Sequence, residues 1–226
     1  MKKTRQNSIV VHAFKLGALC AVLLYPMSGN AAPISFNFGG SVSGVFGNVF
    51  TQNGTGANGF SSALPMSGSF TFNSSTSDSN GSANIGRYNG TIQNLTVTVG
   101  NYTATYSPGT SFIRVVNNPG VGSTYHVEVN NLSGPLVNGR APSAFEITLG
   151  NPTGTAFTND HLPTTPPSLS SFSTNQWRLI FGATGHRVQG ALNSLVPLPA
   201  AVWLFGAGLI ALVGLGSRGL VTRKES

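Results

Sequence analysis

The stretch NLTVTVGNYTATY, residues 94–106, alternates apolar and polar side chains on both sides of a Gly100-Asn101 break. Successive side chains of an extended chain point to opposite faces. Leu95, Val97 and Val99 therefore share one face, and Tyr102, Ala104 and Tyr106 share one after the break. A helix would scatter these residues around its circumference, so the pattern admits only strands. The same alternation recurs in SFNFGGSVSGVF, MSGSFTFN, SFIRVVNN, STYHVEVNN, SAFEITLGN and NQWRLIFGA. Asn53-Gly54, Asn58-Gly59, Asn80-Gly81, Asn89-Gly90, Pro108-Gly109, Pro119-Gly120 and Asn151-Pro152 punctuate it with turn chemistry. No helical period occurs between the two ends of the chain.

The expected fold is all-β: an antiparallel β-sandwich over residues 32–195, jelly-roll-like, with about eight to ten strands. HLPTTPPSLSSF, residues 161–172, holds prolines that cannot donate to a central ladder, so it is expected to be a long loop crossing between sheets. A brief linker is expected at residues 193–196. A disordered chain would not carry Phe, Val and Ile at this regular spacing.

Charge sorts to the ends. The chain of 226 residues has only 8% charged residues and a net charge of +7. Lys2, Lys3, Arg5 and Lys15 contribute four of those charges, and residues 217–226 contribute two more. Five arginines and four carboxylates leave the middle at plus one. The basic patch that nucleic-acid binding needs is therefore missing from the domain. The single cysteine, Cys20, lies in the first apolar run, so disulfides and thiolate metal sites are not expected in the mature domain.

Residues 1–31 have the three parts of a secretory signal: a basic start, the apolar run LGALCAVLLY at 16–25, and small residues before a cleavage point between Ala31 and Ala32. Signal peptidase is the partner this implies. At the other end, residues 198–216 are apolar or small and long enough to form a single transmembrane helix. Arg218, Arg223 and Lys224 follow and act as a basic stop-transfer, which places the C-terminus in the cytoplasm and the β domain outside it.

Val196-Pro197-Leu198-Pro199-Ala200, then the apolar segment, then the short basic end, resembles the PEP-CTERM sorting signal in its VPLPA variant. The resemblance covers about the last 30 residues, 196–226. It implies processing near the motif by an exosortase, a membrane-embedded cysteine protease of Gram-negative bacteria that make extracellular polysaccharide. Leu198 stands where glutamate is commoner in that family. Independently of the resemblance, Pro197 and Pro199 fix φ and keep the chain extended, which is how a protease takes its substrate. The middle domain, through F-x-F-x-G and later LPxxPPSL…W-x-L-x-F, more loosely resembles the extracellular domain often found before such tails.

Candidate chemistry in the middle is sparse. His126 and Glu128 fall on one strand face, opposite Tyr125, Val127 and Val129, and form a possible metal-binding or base-orienting pair on what is otherwise a solvated face. Asp78-Ser79-Asn80-Gly81 resembles half of a calcium loop, with Asp78 and Asn80 as the oxygen ligands, but Asx and Gly also favour plain turns. No G-x-S-x-G is present, and Glu128, Glu146, Asp78 and Asp160 do not select a hydrolytic pair. Catalytic residues and cofactors are not expected. Trp177, Tyr88, Tyr102 and Tyr125 are possible platforms for sugar rings, Trp177 equally a core residue. The expectation is a sorted envelope or extracellular-matrix protein, adhesive or exopolysaccharide-associated. The alternatives are a carbohydrate-binding module and, third, a hydrolase.

Overall fold

A computed structural model of the chain describes residues 33–51, 55–56 and 59–198. In chain order the strands are β1 (Ile34–Phe46), β2 (Thr55–Gly56), β3 (Gly59–Phe60), β4 (Pro65–Phe72), β5 (Ile85–Asn89), β6 (Ile92–Val99), β7 (Tyr102–Tyr106), β8 (Ser111–Asn118), β9 (Gly122–Asn130), β10 (Leu132–Ser133), β11 (Pro142–Asn151), β12 (Thr174–Phe181) and β13 (Ala183–Pro197). Three of these are two-residue strands, and the ten longer ones match the upper end of the expected number. The helical content among the described residues is one 3₁₀ turn, Leu169–Ser171.

The fold is all-β and antiparallel. Eleven strands form one sheet in the order β10-β7-β6-β4-β1-β13-β12-β11-β9-β8-β5, and β2 pairs with β3 alone. Hydrogen bonding runs through the large sheet as one ladder, and the ladder curls on itself. Phe38 of β1 and Phe145 of β11 are three strands apart in the order, which in a flat sheet of about 4.8 Å strand spacing means roughly 14 Å. Their rings stack with centroids 5.2 Å apart. Tyr102 of β7 and Phe181 of β12 are five strands apart, yet their rings meet at 5.5 Å.

The curl has local causes. The two central strands, β1 and β13, shift register between Gly39 and Gly40 and again between Val42 and Gly44. Each extra residue bends its strand and sharpens the twist. Glycines let the strands close at the bend: a Cβ on Gly40 would meet the Ala191 carbonyl and the indole nitrogen of Trp177. At Asn131 (φ +71°) the chain turns from β9 into β10. Its N–H donates to Ser143 O at 2.9 Å, and its own carbonyl accepts from Ser107 N at 3.0 Å, so it joins the β11 side to the β7 side.

Inside the curl lies the alternation read from the sequence. Leu95, Val97, Val99, Tyr102 and Ala104 are buried, as are Tyr125, Val127 and Val129. Trp177 is fully enclosed, and its indole N–H donates to Ala191 O at 3.2 Å.

Two boundaries differ from expectation. The loop between β11 and β12 joins neighbouring, directly paired strands, so it does not cross between sheets. It instead lays Leu162 and Phe172 onto the core, with Phe157 and Phe172 rings 5.7 Å apart. Residues 193–196, expected as a linker, are part of β13. Leu195 explains this: it is buried, as is Leu192 just before the range, and both continue the strand's inward face.

Among the described residues no helix is long and apolar enough to cross a membrane. The expected signal segment with Ala31 and Ala32, most of the expected transmembrane helix, and Pro199, Ala200, Arg218, Arg223 and Lys224 lie outside the described residues.

Candidate functional site

Outward-facing positions of β5, β8, β9, β11 and β12 carry most of the domain's few charges. Cross-strand register lines up Asn89, Phe112, Glu128, Glu146 and Arg178 in one row. A parallel row holds Arg87, Arg114, His126, Thr148 and Gln176.

Where the two rows meet the edge strand β5, the surface folds into an open pocket of about 410 Å³. Arg87, Asn89, Ser111, Phe112, Glu128 and Asn130 line it. The Arg87 guanidinium lies over the Phe112 ring, 3.8 Å from the centroid, and its Nε donates to Asn89 Oδ1 at 2.9 Å. The His126 ring lies 5.5 Å from the Phe112 ring, centroid to centroid, and is tilted by 39° to it. Glu128 is held in place: Oε1 accepts from Asn130 Nδ2 at 2.9 Å, and Oε2 is 3.3 Å from His126 Nε2. His126 Nδ1 in turn pairs with Thr148 Oγ1 at 2.9 Å. The Ser111 hydroxyl is buried with no hydrogen-bond partner.

Such a surface offers a flat cationic and aromatic platform, rimmed by a carboxylate, two amides and hydroxyls. It suits a polyhydroxylated ring, which needs donors and acceptors around its edge and tolerates stacking on its C–H face. Two carboxylates flanking a cleft are not what the row provides. Glu128 and Glu146 are side-by-side partners on adjacent strands, and Glu146 Oε2 lies 3.7 Å from Arg178 Nη1.

The sequence-derived candidates fare differently. His126 and Glu128 share a face as expected and touch. The four expected platforms, Trp177, Tyr88, Tyr102 and Tyr125, are all buried and cannot stack on an external sugar. Burial pushes the phenol pKa of Tyr102 and Tyr125 upward, because ionisation would strand a charge in the core. Tyr88 is also raised, first by burial and then by Asp78 and Asp160.

Asp78 and Asn80 form turn and edge contacts. Asp78 Oδ1 accepts from Asn80 N and from Arg87 N, both at 2.8 Å, and Asn80 Oδ1 accepts from Ser82 N at 2.8 Å. With Ser79 N donating to Arg87 O at 2.8 Å, this turn covers the outer edge of β5. Among the described residues no group of three or more His, Cys, Asp or Glu side chains is placed to hold a metal.

Sequence reasoning missed Phe112 and Arg87. The signal for Phe112 was present: in S-F-I-R-V-V it is in phase with Arg114, and Ile113 and Val115 take the buried face. Arg87 joins it only through the β5–β8 register, which no local pattern encodes.

Val196, Pro197 and Leu198 of the expected sorting motif lie beside β1. Asn37 pairs with Val196 and Phe36 with Pro197. Leu198 N donates to Ser35 O at 3.0 Å.

No protein-family model, curated protein or solved structure matches this chain.

Proposed function

We propose that the chain is a surface-sorted protein of the envelope or extracellular matrix of a Gram-negative bacterium, and that it associates with exopolysaccharide without hydrolysing it. The pocket lined by Arg87, Phe112, Glu128 and Asn130 carries the binding part of this reading, because its mixed platform and rim match a sugar ring. The ordered VPLPA motif, apolar segment and basic end carry the sorting part. On this reading signal peptidase removes residues 1–31 and the tail serves as a transient single-pass anchor with a cytoplasmic C-terminus. An exosortase-like protease then processes the tail near the motif, and the β domain reaches the surface or matrix. The finer fold reading, a jelly-roll-like sandwich, also belongs to the proposal, with the two arms of the curled sheet as its layers.

The binding test is affinity electrophoresis of the purified protein through gels containing the native host's exopolysaccharide. Retardation of the wild type, reduced about tenfold in affinity by Arg87→Ala and by Glu128→Gln, is the expected result. That factor corresponds to losing one charge-assisted hydrogen bond of about 1.4 kcal/mol. A wild type that migrates as in plain gel removes the polysaccharide reading. Cleavage of polysaccharide, abolished by Glu128→Gln, would move the protein to the hydrolases.

A further inference from the structure

Two of the domain's five arginines face each other at the pocket. Arg87 N donates to Asp78 Oδ1, and Arg87 O accepts from Ser79 N, both at 2.8 Å. Both backbone groups of Arg87 therefore face away from β8, which makes Arg87–Arg114 a non-hydrogen-bonded pair of the β5–β8 ladder. In such a pair the Cα atoms come to about 4.5 Å and the side chains start closest together. Two guanidinium groups are thus rooted on one outer face at the tightest cross-strand spacing, an arrangement that destabilises a sheet. Opposite Arg114 on β9 stands His126, a third cation whenever its ring is protonated.

Among the described residues no carboxylate pairs with either arginine. The ion pairs there are His126–Glu128 and Arg178–Glu146. Glu128 is held by His126 and Asn130, and Asp78 Oδ1 accepts two backbone N–H groups. Arg87 donates Nε to Asn89 and lays its face on Phe112, which fixes the guanidinium and leaves its Nη nitrogens to donate elsewhere. Arg114 is exposed and forms no ion pair with the described residues. The pair is therefore a fixed positive site whose counter-charge must come from outside.

We infer that the pocket takes an acidic sugar, a ring bearing a carboxylate as a hexuronate does, and that this carboxylate bridges Arg87 and Arg114. The inference rests on the polysaccharide reading of the site and adds the class of sugar. Guanidinium groups bind carboxylates through paired, charge-assisted hydrogen bonds, and one carboxylate between two of them removes their repulsion. Glu128 lies in the neighbouring row with Phe112, two residues along the strands and about 7 Å away. An ionised carboxylate only accepts, so Glu128 meets hydroxyl groups at the far edge of the same ring. The two rows divide the ligand: cations for its acid, Glu128 for its hydroxyls. A neutral ring serves the second row alone and leaves the arginines facing each other.

The test is affinity electrophoresis of the purified protein through gels holding three polymers. They are the native host's exopolysaccharide, the same polymer after carbodiimide activation and borohydride reduction of its carboxyl groups, and polyglutamate, which carries carboxylates without a sugar ring. The expected result is retardation by the native polymer, with affinity about tenfold or more weaker for the other two. Arg114→Gln should lower affinity for the native polymer about tenfold, the loss of one charge-assisted hydrogen bond. Its urea midpoint should be unchanged or higher, because a like-charge pair has gone. Undiminished binding of the reduced polymer, or an Arg114→Gln variant that binds as the wild type does, overturns the acidic-sugar inference and leaves the polysaccharide reading standing. Equal retardation by polyglutamate makes the arginine pair a plain ion exchanger and overturns the inference as well. A wild type retarded by none of the three removes the polysaccharide reading itself, and the inference with it.

Discussion

Gly190→Ala tests the packing of the β1–β13 seam. A Cβ at Gly190 would collide with the Ser41 carbonyl oxygen, lie 2.8 Å from that carbonyl's carbon, and lie 3.0 Å from Trp177 Nε1. Both obstacles are fixed. Ser41 O is backbone of the partner strand, and the indole is fully enclosed and bonded to Ala191 O. Strands β1 and β13 must move apart, and overpacking against backbone falls at the upper end of its usual range, about 3 kcal/mol. Gly185→Ala on the same strand is the control, since a Cβ there meets nothing within 4 Å. It should be neutral or stabilising by up to about 1 kcal/mol, through the lower entropy of the unfolded chain. Urea unfolding followed by far-UV circular dichroism reads the difference. With a slope of about 2 kcal/mol/M, the two midpoints should lie about 1.5 M or more apart, with Gly190→Ala the lower. Midpoints within about 0.3 M of each other would refute the argument that close strand approach, rather than generic strand propensity, selects glycine at position 190.

Three further outcomes are expected. Trp177→Phe should cost about 2–3 kcal/mol in the same urea assay, from lost ring volume and the lost bond to Ala191 O; a loss under about 1 kcal/mol would contradict its core role. Tyr102 and Tyr125 have folded-state pKa values raised above the unfolded value of 10, so their neutral forms favour the fold fully below that pH. As pH rises above 10 the unfolded chain ionises and the folded one does not, which removes about 1.4 kcal/mol per residue per pH unit, or about 3 kcal/mol for the pair at pH 11. Urea midpoints at pH 9 and pH 11 should show that fall, and Tyr125→Phe should lessen it. Phe112→Ala should weaken polysaccharide retardation without lowering the urea midpoint by more than about 0.5 kcal/mol in stability, because Phe112 lies on the outer face; unchanged retardation would remove the platform from the site.

Much of the sheet was legible because inward and outward positions alternate strictly. Leu95, Val97 and Val99 declared their face, and Gly100-Asn101 declared the turn. The same phase rule should have placed Tyr125 with Val127 and Val129 inside, and Tyr102 with Ala104. Treating them as platforms gave chemical type more weight than phase. What alternation cannot carry is register. Asn89, Phe112 and Glu128 are brought side by side only by the pairing of β5 with β8 and β8 with β9. The single curled ladder was likewise hidden, because its bends arise from register shifts between β1 and β13. Pro197 misled in the other direction. A proline normally closes a strand, but here its missing donor falls on the side away from β1.

The partnership of β1 with β13 also dictates an order of assembly. On the exported reading β1 emerges first and β13 last, so the pairing Phe36↔Pro197 closes a loop spanning nearly the whole domain. Such non-local pairing gives the fold a high contact order and slow closure. Until β13 has emerged, β1 can complete its ladder with β4 but keeps a long, Phe-bearing edge open on the other side. That edge is a template for pairing with other chains. The emerging chain is thus most prone to aggregate just before β13 arrives, and that strand is also what shields the first.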